Sequence, residues 1–101
     1  MEVFISELAE YKLKKLTDYL LENWSYKVKN DFLEKLTSKI EQISLNPESC
    51  QKSMEFGGIY KCVVTKQTTF FYRVNFAKEE IEIITLFDTR QYPDKLKEHL
   101  E

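Results

Sequence analysis

The spacing of apolar residues changes period once along this chain, and that change fixes the class of fold. Val28, Phe32, Leu36, Ile40 and Ile43 step by four, four, four and three, with Lys29, Glu34, Lys35, Lys39 and Glu41 on the other faces. This is one apolar stripe on a helix of about 3.6 residues per turn. After Gly57-Gly58 the period drops to two. Phe70, Tyr72, Val74 and Phe76 alternate with Thr69, Phe71, Arg73 and Asn75, as on a strand with one buried face. A helical stripe followed by alternating strands has one economical solution: the stripe covers a face of the sheet.

The remaining elements follow from local chemistry. Glu2-Val3-Phe4-Ile5 predicts a first strand, whose place in the sheet the sequence leaves open. Ser6 is a helix N-cap, with Glu7 and Glu10 in the first turn where the helix dipole favours acids. Leu8, Tyr11, Leu16, Tyr19 and Leu20 give that helix its stripe up to Trp24. Ser25 caps the second helix almost without a loop, which predicts an antiparallel hairpin, and Asn46-Pro47 stops it. Residues 46–58 read as a polar connection. Strands are predicted over 59–65, 69–76 and 81–87, joined by turns short enough for an antiparallel meander. Pro93 suits the first turn of a short final helix with Leu96 and Leu100 on its apolar edge. The expected class is α+β: an N-terminal strand, a helical hairpin packed on an antiparallel sheet with a three-strand meander, and a short C-terminal helix. With 101 residues the chain suits one domain, 1–101.

Chemistry-bearing side chains gather at two places. If Tyr60, Cys62 and Val64 pack on the helices, Lys61 points to the other sheet face, as does Arg73 beside Phe71 and Asn75. Cations and an aromatic on an open sheet suit a phosphate chain or a stacked base, although a solvated outer face is the plainer interpretation. At the end of the last strand, Asp88, Arg90, Gln91 and Tyr92 crowd together. Arg90 suits a bidentate clamp on phosphate or carboxylate, or an ion pair with Asp88 that fixes the strand end. Tyr92 suits stacking on a base, or stapling the final helix to the body. Leu13, Leu21, Phe56 and Phe71 fall outside the simplest core stripes and belong either to an exposed apolar patch or to an enlarged aromatic core.

Several classes of function are disfavoured. Net charge is −2, and 7 Lys and Arg face 9 Asp and Glu in residues 1–50 against 8 and 8 in 51–101, so neither half coats nucleic acid by charge alone. His99 is the only histidine and sits near the end of the last helix, a poor place for a general base. Cys50 and Cys62 are the only cysteines, without the spacing of a zinc site; they allow one disulfide, and two reduced thiols are the favoured reading. No cofactor or metal is expected. No run approaches ~18 apolar residues and no basic leader precedes one, so a cytoplasmic protein without membrane attachment is expected.

In order along the chain, the leading strand, the hairpin with Trp24 near its bend, Asn46-Pro47, Gly58-Ile59-Tyr60-Lys61, Phe71-Tyr72-Arg73-Val74 and Ile83 to Pro93 resemble the RelE/ParE superfamily of toxins from bacterial type II toxin–antitoxin modules. The resemblance spans nearly the whole chain and leans towards the ParE-like branch. It implies a small toxin, bound and neutralised by a cognate antitoxin protein in a hetero-oligomer. It further implies either action on DNA gyrase, as in ParE-like members, or metal-independent cleavage of mRNA in the ribosome, as in RelE-like members. A non-toxic protein that keeps only the antitoxin-binding surface is the third alternative. Under the endonuclease alternative Lys61, Arg90 and Tyr92 are the catalytic candidates; for target binding they are Arg90, Tyr92, Lys61 and Arg73. Two positions depart from the ribonuclease pattern, because its second strand lysine falls at Val63 and an arginine of the next strand falls near Thr69. Cleavage without metal relies on cations around the developing phosphorane charge, so these departures favour gyrase.

Overall fold

A computed structural model describes residues 1–91 of the chain. The expected C-terminal helix, with Tyr92, Pro93 and His99, lies outside the described residues. The described elements are β1 (Glu2–Ile5), α1 (Glu7–Asn23), α2 (Tyr26–Leu45), β2 (Gln51–Lys52), β3 (Ile59–Val63), β4 (Thr68–Asn75) and β5 (Glu80–Asp88). They form one sheet in the order β1-β5-β4-β3-β2, with α1 and α2 as a hairpin against one face. Both helices start as their sequences dictate. Ser6 accepts a hydrogen bond from the Ala9 N–H at 3.0 Å, and Ser25 from Val28 at 3.1 Å, satisfying N–H groups that have no partner in the first turn.

β1 lies at the sheet edge beside β5 and runs parallel to it, Glu2 opposite Glu80 and Ile5 opposite Ile83. A parallel neighbour needs a long crossover, and here the helical hairpin and the meander together provide it. The Met1 ammonium donates to the Ser44 carbonyl at 2.7 Å, and Ser44 Oγ donates back to the Met1 carbonyl at 2.7 Å, tying the start of β1 to the end of α2.

The core forms where the sheet meets the hairpin. Leu16 and Leu20 of α1, Phe32, Leu36 and Ile43 of α2, and Tyr60, Cys62, Phe70, Tyr72, Ile81, Ile83 and Leu86 of the sheet are all buried. The α2 stripe is the expected one. The α1 stripe is the expected one from Leu16 through Tyr19 to Leu20, but in the first two turns Ala9 and Leu13 face the sheet while Leu8 and Tyr11 are exposed. Phe76, expected inward, is exposed because β4 ends at Asn75 and the chain turns, Asn75 Oδ1 accepting from the Lys78 N–H at 3.1 Å. The connection 46–58 contains a two-residue edge strand, β2, too short and too polar for periodicity to reveal. Gly58 has φ +77°, a conformation open to glycine and costly for other residues.

Tyr72 is fully buried, its ring stacked on Tyr60 at 5.1 Å and its hydroxyl donating to the Pro47 carbonyl at 2.8 Å. Burial, and then the neighbouring Cys50 thiol, pushes the Cys62 thiol from 9.0 up to about 12. Burial also raises the Tyr72 hydroxyl.

Two expectations arise from this packing. Phe32→Ala, which empties a 2% exposed site, should cost about 3–5 kcal/mol in urea unfolding, whereas Leu45→Ala at an 88% exposed position should change stability by less than about 0.5 kcal/mol. Cys62 and Tyr72 fold as neutral acids with raised pKa values, so their contribution is complete below pH 9.0, the unfolded thiol value. It is lost as pH rises towards about 12, because the unfolded chain ionises first. Urea melts under reductant across that window should show falling stability, with a shallower fall in Cys62→Ala.

Candidate target-binding face

A single irregularity in β5 decides what this end of the sheet presents. Tyr72 pairs with Ile83 but Phe71 pairs with Thr85, so Ile84 is an extra residue in the ladder. The bulge reverses the alternation. Before it, Ile81 and Ile83 face the helices; after it, Leu86 and Asp88 do. Phe87 is thereby turned outward and meets Phe71 edge-on, ring centroids 6.5 Å apart.

Asp88 is therefore a buried acid, 2% exposed, and its partners are all supplied. Thr68, directly opposite on β4, donates its hydroxyl to Oδ2. The Arg90 N–H donates to Oδ1 at 2.9 Å, closing an Asx-type turn that ends the strand. The Arg90 guanidinium grips the same carboxylate with Nε on Oδ1 at 3.1 Å and Nη2 on Oδ2 at 2.8 Å. Its side chain is only 16% exposed, and its remaining face lies over the Trp24 ring, 5.9 Å from the centroid. Tyr19 donates its hydroxyl to the Arg90 carbonyl at 3.1 Å. Of the two roles open to Arg90 in the sequence, the geometry shows the ion pair: two donors of the fork are committed to Asp88, and a phosphate would have to displace a buried carboxylate to use them.

The outer face is ordered by the register into four rows, the first being Glu2, Glu80 and Asn75. Phe4, Glu82, Arg73 and Ile59 form the second; Thr85, Phe71 and Lys61 the third, with Gln51 beyond; Phe87, Thr69 and Val63 the fourth. Arg73 is exposed but paired with Glu82, Nη2 to Oε1 at 2.7 Å. Lys61 is exposed beside Phe71. Its neighbours on one side are Val63 and Thr69, and on the other Ile59 and Arg73, the latter paired with Glu82. A hollow lined by Phe4, Arg73, Asn75, Phe76 and Glu82 lies on this face. Phe71 belongs to this face and Leu13 to the core, whereas Leu21 and Phe56 are exposed elsewhere.

The sequence did not single out Lys12 or Thr68. Lys12 reaches from α1 past the open edge of β5, where β1 has already ended, to donate to Thr85 Oγ1 at 2.9 Å, its Nζ 4.1 Å from the centre of the Phe87 ring. Burial lowers its pKa. The signal was present: Lys12 is one turn before Leu16 on the inward stripe, where a lysine has to extend its amine past the apolar contact. Thr68 carried no such signal, because its burial depends on the bulge that turns Asp88 inward. Among the described residues, no group of three or more His, Cys, Asp or Glu is placed to hold a metal ion, and no helix is long and apolar enough to cross a membrane.

Known proteins resemble the chain in sequence pattern and in fold. The family model of the ParE toxin of the type II toxin–antitoxin system, parDE, matches residues 3–93. A chain of the chromosomal ParDE system from P. aeruginosa superposes with a TM-score of 0.71 at 12% identity, covering 87% of this chain and 95% of that one. A chain of the intact RelBE toxin–antitoxin complex from E. coli gives 0.62 at 16% identity, with 86% and 94% covered. The YoeB dimer from Staphylococcus aureus gives 0.62 at 17% identity over the same shares, 86% and 94%. At such identities the structural likeness shows the fold alone. No curated protein matches the chain.

The Asp88–Arg90 pair is testable as a unit. Asp88→Ala and Arg90→Ala should each cost about 2–5 kcal/mol, since each strands a mostly buried partner. The double variant should fall short of their sum by about 1–3 kcal/mol. Emission of Trp24, the only tryptophan, reports both the unfolding and the loss of the overlying guanidinium.

Proposed function

As a chain that belongs to the ParE toxin family of type II toxin–antitoxin systems, this protein is a toxin, and we propose that it arrests growth by binding DNA gyrase while a cognate antitoxin protein holds it inactive. The observation that carries this reading is the state of the cations on and beside the outer face. Arg73 is engaged by Glu82, Arg90 by Asp88 and Lys12 by Thr85, and Lys61 is flanked by Val63 and Thr69. Stabilising a pentavalent phosphorane without metal calls for several preorganised cations aimed at one point. The described residues instead present one exposed lysine on a face whose other outward groups include Phe4, Ile59, Phe71, Val63 and Phe87. Aromatic and aliphatic groups interleaved with a few charges suit a protein interface, where apolar anchors supply affinity and charges supply orientation.

The roles of the candidates divide accordingly. Lys61 contacts the target directly, and Arg73 sits at the rim, its charge already shared with Glu82. Arg90 acts from behind: it holds the end of β5 through Asp88. An antitoxin would cover apolar surface of the same kind, which fits the toxin–antitoxin assemblies named for the RelBE and YoeB–YefM structures.

Purified chain should inhibit DNA supercoiling by gyrase and leave mRNA uncut on translating ribosomes. Lys61→Glu, on an exposed site that leaves folding unchanged, should weaken the inhibition about tenfold. Ribosome-dependent cuts with unaffected supercoiling would overturn the gyrase reading in favour of an endonuclease. A chain that does neither and still binds an antitoxin would mark a non-toxic partner protein.

A further inference from the structure

The register of the sheet edge brings the two cysteines of this chain face to face. β2 and β3 run antiparallel with Lys52 opposite Tyr60 and Gln51 opposite Lys61. One step further along the same ladder sets Cys50 opposite Cys62. The Ser53 N–H donates to the Ile59 carbonyl at 2.7 Å, which marks 53 and 59 as a hydrogen-bonded position. Positions alternate along an antiparallel ladder, so 50 and 62 fall on a non-hydrogen-bonded pair, where Cα atoms approach to about 4.5 Å. A disulfide spans Cα separations of roughly 4.4–6.8 Å. The side chains agree with the register. The Cys50 thiol sits against both the Cys62 thiol and the Tyr72 hydroxyl. Cys62 is 1% exposed, while Cys50 is half-buried at the start of the loop, and both are free thiols.

We propose that Cys50 and Cys62 form a reversible intramolecular disulfide, with Cys50 as the entry thiol and Cys62 as the resolving one. The oxidant is a small-molecule disulfide such as oxidised glutathione. The Cys50 thiolate attacks one sulfur of the oxidant, the small S–S bond breaks, and one small thiol leaves. Cys62 then gives up its proton to solvent and attacks the Cys50 sulfur of the mixed disulfide, expelling the second small thiol. Two protein thiols and one small disulfide become one protein disulfide and two small thiols, with two electrons passed to the oxidant. The order of events follows from access, because only Cys50 meets solvent. The second step is the slow one, because the buried Cys62 thiol releases its proton reluctantly.

The bond would close the loop 50–62, which contains β2, the Gly57-Gly58 turn and Lys61. That end of the sheet otherwise rests on a two-residue strand. Oxidation therefore stiffens the segment that carries the exposed lysine of the outer face and leaves the helices and β5 untouched. A disulfide of this kind is thermodynamically at home in an oxidising thiol pool and reverts in a reducing one.

The test uses the purified full chain, equilibrated in glutathione buffers of increasing oxidised fraction, quenched by alkylation and read by intact mass and thermal melting. The expected product is a monomer that has lost two hydrogens, resists alkylation at both cysteines and melts roughly 5–15 °C higher. Cys62→Ala should stall as a mixed disulfide on Cys50, and Cys50→Ser should remain unmodified. A glutathione adduct persisting on Cys50 of the unsubstituted chain, a dimer linked through Cys50, or two alkylatable thiols under full oxidation would each overturn the proposal. So would a Cys62→Ala chain that takes up no glutathione.

Discussion

The burial of one sheet face beneath two helices is the constraint on which everything else in this molecule depends. The apolar stripes of α1 and α2 and the inward rows of β3, β4 and β5 have no other place to leave water. At about 25 cal/mol per Å² of apolar surface buried, this layer is the main source of stability. It also fixes which residues are left over. A strand with one committed face has no choice about the other, so Lys61, Phe71, Arg73 and Phe87 are outward because Tyr60, Cys62, Phe70, Tyr72 and Leu86 are inward. The outer face is in this sense the complement of the core.

The bulge at Ile84 is the one place where that logic is reset. Without it, strict alternation from Ile81 and Ile83 would bury Thr85 and Phe87 and send Asp88 to solvent. With it, an acid enters the apolar layer, and such an acid is tolerated only when every lone pair is engaged. Thr68, the Arg90 amide and the Arg90 guanidinium supply those partners, and Trp24 closes the far side. Edge geometry contributes as well. β1 pairs with β5 only as far as Ile83, so α1 can send Lys12 across the unpaired stretch to Thr85 and Phe87. One inserted residue thus produces the buried acid, the committed arginine and the outward aromatic pair together.

These origins explain what was legible in the sequence. The helices, the long strands and the caps at Ser6 and Ser25 were readable because each follows from near-neighbour chemistry or from a period sustained over many residues. The parallel placement of β1 was not, since a four-residue strand with both neighbours open carries no mark of its partner. β2 was missed because two residues have no period. In α1 only the first two turns of the stripe were misplaced, since Leu8 is more hydrophobic than Ala9 and nothing local shows that Ala9 is the buried one. Lys61 and Arg73 do lie on the outer sheet face and Arg90 at the strand end, as the sequence suggests, but their engagement was invisible. Asp88 and Arg90 stand two apart, and spacing alone suits a free guanidinium as well as a paired one. The deciding fact is which way Asp88 faces, and a bulge leaves no signature in composition.

The same pairing limits what the outer face can do. A cation is available to a guest only to the extent that it has not already been neutralised by its own chain. Arg90 lies where a phosphate clamp would be useful, yet releasing it would leave the Asp88 carboxylate uncompensated inside the protein, a penalty of about 3–5 kcal/mol that binding of the phosphate would have to offset. Arg73 is released more cheaply, being solvent-exposed, but an exposed pair contributes little in either direction. What the outer face offers is a mixed surface in which Phe4, Ile59, Phe71, Val63 and Phe87 are interleaved with the paired Arg73 and Glu82 and the exposed Lys61.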